Sequence, residues 1–204
     1  MIEGTSSGTP SDLTHSLTDD AKAFLSPAKL VLLADILRHI DEHSITHGLY
    51  GWWFDGNLPF VPRDGCIAHK GKHLLYVGIA PPKDGPARSN SSTPMKRRLW
   101  RNHLNGTVRS STLRLSVAAL LQHDLNLAFW RDTRRRVRMD REHEAKLTAW
   151  IERHATVSVM QHENPSSLEE KLIKRGPPLP LNLSMSSHPF KATLSDLRRA
   201  LGRN

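Results

Sequence analysis

Two runs of consecutive apolar residues and one alternating run predict three β-strands. The first run spans residues 49–54 and the second spans residues 74–79, and both contain the aromatic or β-branched side chains that suit a pleated, half-buried surface. Pro81 and Pro82 end the second run. Residues 156–161 alternate between apolar and polar side chains, which indicates a third strand.

Apolar residues at three- and four-residue spacing predict helices before, between and after these strands. The first helix begins at Ser26 and Pro27, which supply an N-cap and a first-turn proline. The other predicted helices lie within residues 93–104, 111–121, 141–153 and 164–174 and around Leu194, Leu197 and Leu201. The pattern therefore predicts a small mixed sheet covered by helices.

The same pattern divides the chain into a tail, a helix and one domain. Residues 1–25 are expected to form a mobile tail, because most of this stretch is rich in serine, threonine and glycine. Residues 26–45 carry the first helix, and residues 46–204 form the domain. Residues 81–92 contain three prolines and predict an exposed loop that could close over a substrate.

The charge of the chain favours nucleic acid as a partner. Lysine and arginine exceed aspartate and glutamate by nine, and the sequence pI is about 10.1. Most of the excess is arginine, which pairs with phosphate through two parallel hydrogen bonds. Residues 131–141 contain six arginines, although such a run is usually a solvated loop or helix face. A basic surface without a polyanionic ligand is the alternative.

Cysteine usage and hydropathy favour a cytoplasmic protein with no membrane contact. Cys66 is the only cysteine, so the chain forms no internal disulfide and has no paired-cysteine zinc site. Residues 1–20 carry four acidic side chains and no apolar stretch, unlike a secretory signal. No segment approaches the roughly 18 apolar residues of a membrane-spanning helix.

Tyr50 and Tyr76, the two tyrosines of the chain, each lie in a short glycine-containing motif inside a predicted strand. The motifs are Gly-Leu-Tyr at positions 48–50 and Tyr-Val-Gly at positions 76–78. They fall at facing ends of a predicted hairpin, so both phenols are expected on one face of the sheet. A phenol can activate water only if cations lower its pKa from about 10. The next helix supplies such cations, namely Lys96, Arg97, Arg98 and Arg101.

The order of these parts resembles the GIY-YIG nuclease family. Residues 95–103 are similar to the arginine helix of the family, and residues 169–173 to its pattern of an acid three residues before a Leu-Ile pair. Asn182 matches the closing asparagine of the family. Residues 111–114 and 188–190 resemble a bacterial branch of it.

The resemblance implies one pocket that contains six catalytic residues, namely Tyr50, Tyr76, Arg98, His103, Glu169 and Asn182. Tyr50 would activate water, and Glu169 would be the ligand of a metal ion. Arg98 would bind the phosphate, with Arg101 as the alternative. Asn182 would help to order the site.

The resemblance also implies an α/β (α+β) fold with a small, mostly antiparallel three-stranded sheet flanked by helices. The expected activity is Mg²⁺- or Mn²⁺-dependent hydrolysis of DNA phosphodiesters, in restriction or defence or else in repair. A monomer with one site cuts one strand in each binding event, so cleavage of both strands would require a homodimer or two successive events. Further arginines would hold the DNA by charge, namely Arg97, Arg101, Arg109, Arg114, Arg134, Arg135 and Arg136.

Other interpretations of the same residues stay open. Ser166 and Glu169 have the spacing of a capping box, which alone explains an acid at that position. Asn182 is also typical of a turn or a cap. A non-catalytic nucleic-acid-binding module with the same fold is the main functional alternative, and an interaction protein with a basic surface is another. The Gly-x-Ser-x-Gly turn of Ser-His-Asp hydrolases and the phosphate-binding loops of the Walker and dinucleotide types are absent from the sequence.

Overall fold

A computed structural model describes residues 17–82 and 93–203. The predicted tail up to residue 16 and most of the predicted loop, residues 83–92, lie outside the described residues. The α-helices are α1 Asp19–Leu25, α2 Ile36–Glu42, α3 Pro94–Lys96, α4 Thr112–Leu120, α5 Arg141–His154, α6 Pro165–Arg175 and α7 Phe190–Ala200. The strands are β1 Val31–Leu32, β2 Gly48–Phe54, β3 Ala68–His69, β4 Lys72–Ala80, β5 Trp130–Arg131, β6 Val137–Arg138 and β7 Ala155–Met160.

The main sheet has five antiparallel strands in the order β1-β7-β2-β4-β3. Its three long strands, β2, β4 and β7, are the three predicted from the sequence, so the α+β fold class is confirmed. The sheet has five strands instead of three because β1 and β3 pair along its edges. These two strands are two residues long each, too short to leave a periodic signal.

Helices cover the central strand β2 on both faces, and every residue of β2 is buried. Trp53 packs with Phe24 of α1 and Leu168 of α6 in one apolar cluster. Trp52 belongs to a second cluster, which includes Val117 of α4 and many residues of the neighbouring helices. Side chains of β2 therefore reach two separate cores, and the face carrying Trp52 also carries Tyr50.

The prediction of a helix that begins at Ser26 is wrong. Helix α2 begins at Ile36, after β1 and a 3₁₀ turn over Leu33–Asp35. Val31 instead pairs with Val157 of β7, so the contact with the sheet overrides the helical spacing of the sequence. Part of the predicted tail is also ordered, because α1 buries Phe24. The division into tail, helix and domain stays a prediction.

The arginine-rich run forms a β-hairpin, β5-β6, and not a plain loop or a helix. Asp132 organises its turn: Oδ1 accepts the backbone N–H groups of Arg134 and Arg136, and Oδ2 pairs with Arg138 at 2.8 Å. Arg135 has a φ of 56°, the left-handed region that a side chain seldom adopts. No helix among the described residues is long and apolar enough to cross a membrane.

Candidate active site

The pairing of β2 with β4 places the two tyrosines on one face of the sheet. Tyr50 lies opposite Gly78, and Trp52 lies opposite Tyr76, so the phenols are diagonal neighbours as predicted. A Cβ atom added to Gly78 would lie 2.6 Å from the Tyr50 hydroxyl oxygen. The glycine of the second motif therefore makes room for the tyrosine of the first.

The Tyr50 hydroxyl forms a hydrogen bond of 2.7 Å with Nε2 of His103. On the other side of the ring, Nδ1 of His103 lies 2.7 Å from the hydroxyl of Ser111, the N-cap of α4. Ser111 Oγ also accepts the backbone N–H of Arg114. Tyr50, His103 and Ser111 thus form a buried hydrogen-bonded chain that runs from the sheet to α4.

His103 is neutral at physiological pH. Burial lowers its pKa to about 3, and the positive charges of Arg98 and Arg114 act in the same direction. A neutral imidazole donates from one ring nitrogen and accepts at the other, so it can take up a proton from one neighbour while it stays bonded to the second.

A π-helix over Arg97–Leu104 explains how the charge of Arg98 acts on this cluster, although the exposed side chain lines a different cavity. Its hydrogen bonds join residues five apart, as in the bond from the Asn105 N–H to the Trp100 carbonyl. Residues at this spacing lie about one turn apart, so Arg98 and His103 fall on neighbouring positions of one face. In a regular α-helix the same spacing would turn them away from each other.

Burial raises the pKa of Tyr50 well above 10, and the neighbouring Tyr76 raises it further. Arg98 lowers it without reversing the shift. The expectation that the cations of the arginine helix bring the pKa of Tyr50 below its ordinary value of about 10 is therefore wrong for the protein alone. Lys96, one of the predicted cations, forms an ion pair with Asp41 instead.

Glu169 faces a cavity of about 270 Å³ beside Tyr76. Burial raises its pKa to about 6, and the positive charge of Arg98 opposes this shift. The charge of Glu169 in turn raises the pKa of both tyrosines, as expected for groups that share one site. Helix α6, Pro165–Arg175, thus brings the predicted acid to the phenols.

The capping-box interpretation of Glu169 is wrong. Asn164 caps α6, because its side-chain oxygen accepts the N–H of Ser167 at 3.3 Å. Ser166 and Glu169 both lie inside the helix. The acid is therefore available for a role in the cavity.

Asn182 ties the segment before α7 to strand β4. Its amide nitrogen donates to the Val77 carbonyl at 2.8 Å, and its oxygen accepts the Val77 N–H at 2.9 Å. Both polar atoms of this buried side chain are therefore hydrogen-bonded to the backbone of Val77, the residue next to Tyr76. This geometry makes Asn182 a positioning residue and not a cap.

The residues present fit a magnesium ion with one protein carboxylate. Mg²⁺ keeps several waters and commonly takes one or two carboxylates together with substrate phosphates. Glu169 forms no ion pair with the described residues and opens to a cavity. No group of three histidine, cysteine, aspartate or glutamate residues within the described ranges forms a metal cluster, so the remaining positions would go to water and phosphate.

The prediction that Arg114 holds DNA is wrong. Its side chain is fully buried and pairs with Glu144 at 2.7 Å. The guanidinium also donates to the carbonyl of Leu104 and to Thr148 Oγ1. The other predicted DNA-binding arginines are exposed, namely Arg97, Arg101, Arg109, Arg134, Arg135 and Arg136.

Sequence reasoning missed three side chains that belong to this site. Ser111 holds His103, while Thr112 and Arg198 line the cavity with Glu169. Ser111 and Thr112 read as the start of a helix, and Arg198 as one of many basic residues. The resemblance of residues 111–114 to a branch of the family marks the stretch but assigns these side chains no role, because their role comes from contacts between distant segments.

The comparisons with known proteins agree with this arrangement. A sequence profile described as the GIY-YIG catalytic domain matches residues 48–200. The matched range begins at the first tyrosine motif and ends with α7. Searches of curated proteins and of solved structures gave no match.

Proposed function

Because the chain belongs to the GIY-YIG family, whose catalytic domain is of nuclease type, we propose that it is a metal-dependent DNA endonuclease. The observation that carries the proposal is the contact between Tyr50 and His103, next to the cavity that Glu169 faces. The metal dependence, the DNA substrate, a cytoplasmic location and a role in restriction or defence belong to the proposal. The described residues give no support for a homodimer.

In this proposal, Tyr50 and His103 together activate the attacking water. When Nδ1–H of His103 donates to Ser111, Nε2 is free to accept the proton of the Tyr50 hydroxyl. The Tyr50 oxygen then takes a proton from water, and the hydroxide forms a bond to phosphorus as the bond to the leaving oxygen breaks. The leaving oxygen takes a proton from solvent. The two transfers occur together, because the raised pKa of Tyr50 disfavours a free phenolate and the pKa of about 3 at His103 disfavours a lasting imidazolium. His103 then returns its proton to solvent through Tyr50.

In this proposal, Arg98 and a metal ion bound to Glu169 neutralise the negative charge of the phosphate. Arg98 is exposed, and its guanidinium can hold two non-bridging oxygens through parallel hydrogen bonds. Glu169 would hold a Mg²⁺ or Mn²⁺ ion, which would supply Lewis-acid stabilisation of the negative charge at the reacting phosphate. Arg198 lines the same cavity and adds a second positive charge near Tyr76.

A non-catalytic nucleic-acid-binding module is the second candidate. The raised pKa of Tyr50 favours it, because a fully protonated, buried phenol is a poor base without the relay through His103. Such a module would bind DNA through its exposed arginines and leave the strand intact.

Plasmid nicking separates the two candidates. We expect the purified protein to nick supercoiled plasmid in Mg²⁺ or Mn²⁺, and Glu169→Gln and Tyr50→Phe to lose this activity. Glu170→Gln is the matched control, since Glu170 is the adjacent exposed acid and pairs with Lys174. DNA binding without metal-dependent nicking in the wild type would support the module. Absence of a gel shift with duplex DNA at low salt would leave an interaction protein.

A further inference from the structure

A second and larger cavity, of about 420 Å³, opens beside the candidate active site. Leu183 and Arg198 line both cavities, so the two are neighbours across these side chains. Six arginines from three parts of the chain surround it, namely Arg109, Arg131, Arg135, Arg136, Arg198 and Arg199. We call this cavity the arginine cleft.

Two of the six arginines, Arg131 and Arg199, use their side chains in contacts within the protein. Arg131 donates to the carbonyl of Arg135 at 2.9 Å and to the carbonyl of Arg199 at 2.8 Å, which joins the β5-β6 hairpin to α7. The Arg199 guanidinium pairs with Asp196 at 2.5 Å. Their charges are therefore engaged in contacts within the protein.

The side chains of the other four arginines are free of such contacts among the described residues. The side chains of Arg109, Arg135, Arg136 and Arg198 form no ion pair or hydrogen bond with the residues that the structure describes. Four unpaired guanidinium groups around one concave surface repel one another and attract a polyanion. Guanidinium groups pair best with phosphate and carboxylate, and a line of phosphates is the polyanion of a nuclease substrate.

The hairpin turn is built to point two of these groups into the cleft. Asp132 fixes the turn through backbone N–H groups, independently of the arginine side chains that follow it. Arg135 has a left-handed φ of 56°, which closes the turn. Arg135 and Arg136 line the cleft as a result, whereas the neighbouring Arg134 does not.

We propose that the arginine cleft binds phosphates of the DNA strand next to the scissile linkage, with Arg198 at the junction of the two cavities. This inference rests on the proposed nuclease function and names where its substrate strand runs. Leu115, Val137 and Leu183 give the cleft an apolar wall that suits the face of a sugar or base. Its volume falls within the roughly 300–1000 Å³ of pockets that hold ligands of that size.

The test measures binding without cleavage. Fluorescence anisotropy with a short labelled DNA duplex is recorded in the absence of metal, with Glu169→Gln as the background for every protein. We expect the combined change Arg135→Gln and Arg136→Gln to weaken binding at least tenfold. It should also reduce the log–log salt slope by about 0.9 for each phosphate that the variant no longer binds. The combined change Arg141→Gln and Arg153→Gln is the control, because it removes the same two charges from exposed positions on α5 that do not line the cleft.

Each result has one meaning. A fall in affinity of the cleft variant with little change in the control variant supports the proposal. An equal fall in both, or none in either, overturns it, because the arginines would then act only as general surface charge or not at all. Inorganic tripolyphosphate is titrated as a competitor: if its binding depends on Arg136 while duplex binding does not, the cleft takes a free polyphosphate and the proposal fails. Since no cleavage is measured, an inactive protein does not obscure the outcome.

Discussion

The Tyr50 hydroxyl and the His103 imidazole form a hydrogen bond of 2.7 Å, although 53 positions separate them in the sequence. Tyr50 is 2% exposed and His103 is 3% exposed, so bulk water cannot replace this contact for either group. Removal of one partner leaves the other buried and unpaired, which is costly. The contact is thus part of the packing that holds the π-helix against the sheet, and it is the contact on which the proposed proton relay depends.

We predict that Tyr50 and His103 act as one unit in cleavage. Tyr50→Phe and His103→Ala should each lower kcat by about 10²–10⁴, the range of general acid–base catalysis. The double variant should lose little more than the worse single variant, because each change already breaks the same relay. Single-turnover nicking rates at saturating DNA measure the effect.

His123→Asn is the control for this comparison of single and double variants, since His123 is exposed and lies outside the site. Thermal unfolding of each variant separates lost catalysis from lost folding. Fully additive losses in the double variant would show that the two residues act independently, and the relay would then be wrong.

Glu169 is predicted to weaken the fold at neutral pH. Its pKa is about 6 in the folded protein against an ordinary 4.5, so the folded form binds the proton more tightly. The stability it contributes is present below pH 4.5 and is lost as the pH rises through 6. Above that pH, Glu169→Gln should raise Tm by roughly 2–4 °C, about 1 kcal/mol in a chain of this size after allowance for its exposed part.

The pH dependence of that difference is the check. Differential scanning fluorimetry should show the gain in Tm for Glu169→Gln well above pH 6 and no gain below pH 4.5. Added Mg²⁺ should raise the Tm of the wild type and not of the variant, because only the carboxylate binds the ion. A variant that Mg²⁺ stabilises as much as the wild type would remove Glu169 as the metal ligand.

The sequence predicted the parts of this site whose signal is local. Tyr50, Tyr76 and Glu169 lie in recognisable strands or helices, and the long strands and most helices were placed within a few residues. Helix α2 was misplaced because the pairing of Val31 with β7 is a contact across the chain. Arg114 looked like one more surface arginine, since burial and its pairing with Glu144 have no sequence signature.

Deletion of Arg101 is predicted to turn the π-helix into a regular α-helix. Leu99 and Leu104 are both buried and five apart, as are the functional pair Arg98 and His103. After the deletion each pair is four apart, which is the spacing of one α-helical face. We expect the folded deletion variant to nick plasmid within about tenfold of Arg101→Ala, which removes the same charge without a change of register.

Circular dichroism and thermal unfolding accompany that comparison. A folded deletion variant with no activity beside an active Arg101→Ala would mean that the π-helix itself is required. The extra residue would then be a functional element and not a tolerated insertion.

Arg114 is predicted to be a stability residue. It joins α4 to α5 and to the end of the π-helix through Glu144, Thr148 and the Leu104 carbonyl. Arg114→Met should cost about 3–5 kcal/mol, since Glu144 is then left half-buried without its partner. Urea unfolding measures this, with the exposed Arg153→Ala as control, expected within about 0.5 kcal/mol of the wild type. A mild effect of Arg114→Met would show that the pair contributes little.

Gly78 is predicted to be essential because it holds Tyr50 in place. A Cβ atom at this position would lie 2.6 Å from the Tyr50 hydroxyl oxygen and 2.7 Å from its Cζ. Gly78→Ala must therefore shift the phenol away from His103, at a cost of about 1–3 kcal/mol in a packed interior. The nicking rate should fall as far as in Tyr50→Phe, since the relay is broken in both. Gly56→Ala is the control, because a Cβ there meets nothing within 4 Å. Full activity in Gly78→Ala would mean that the position of the Tyr50 hydroxyl does not set the rate.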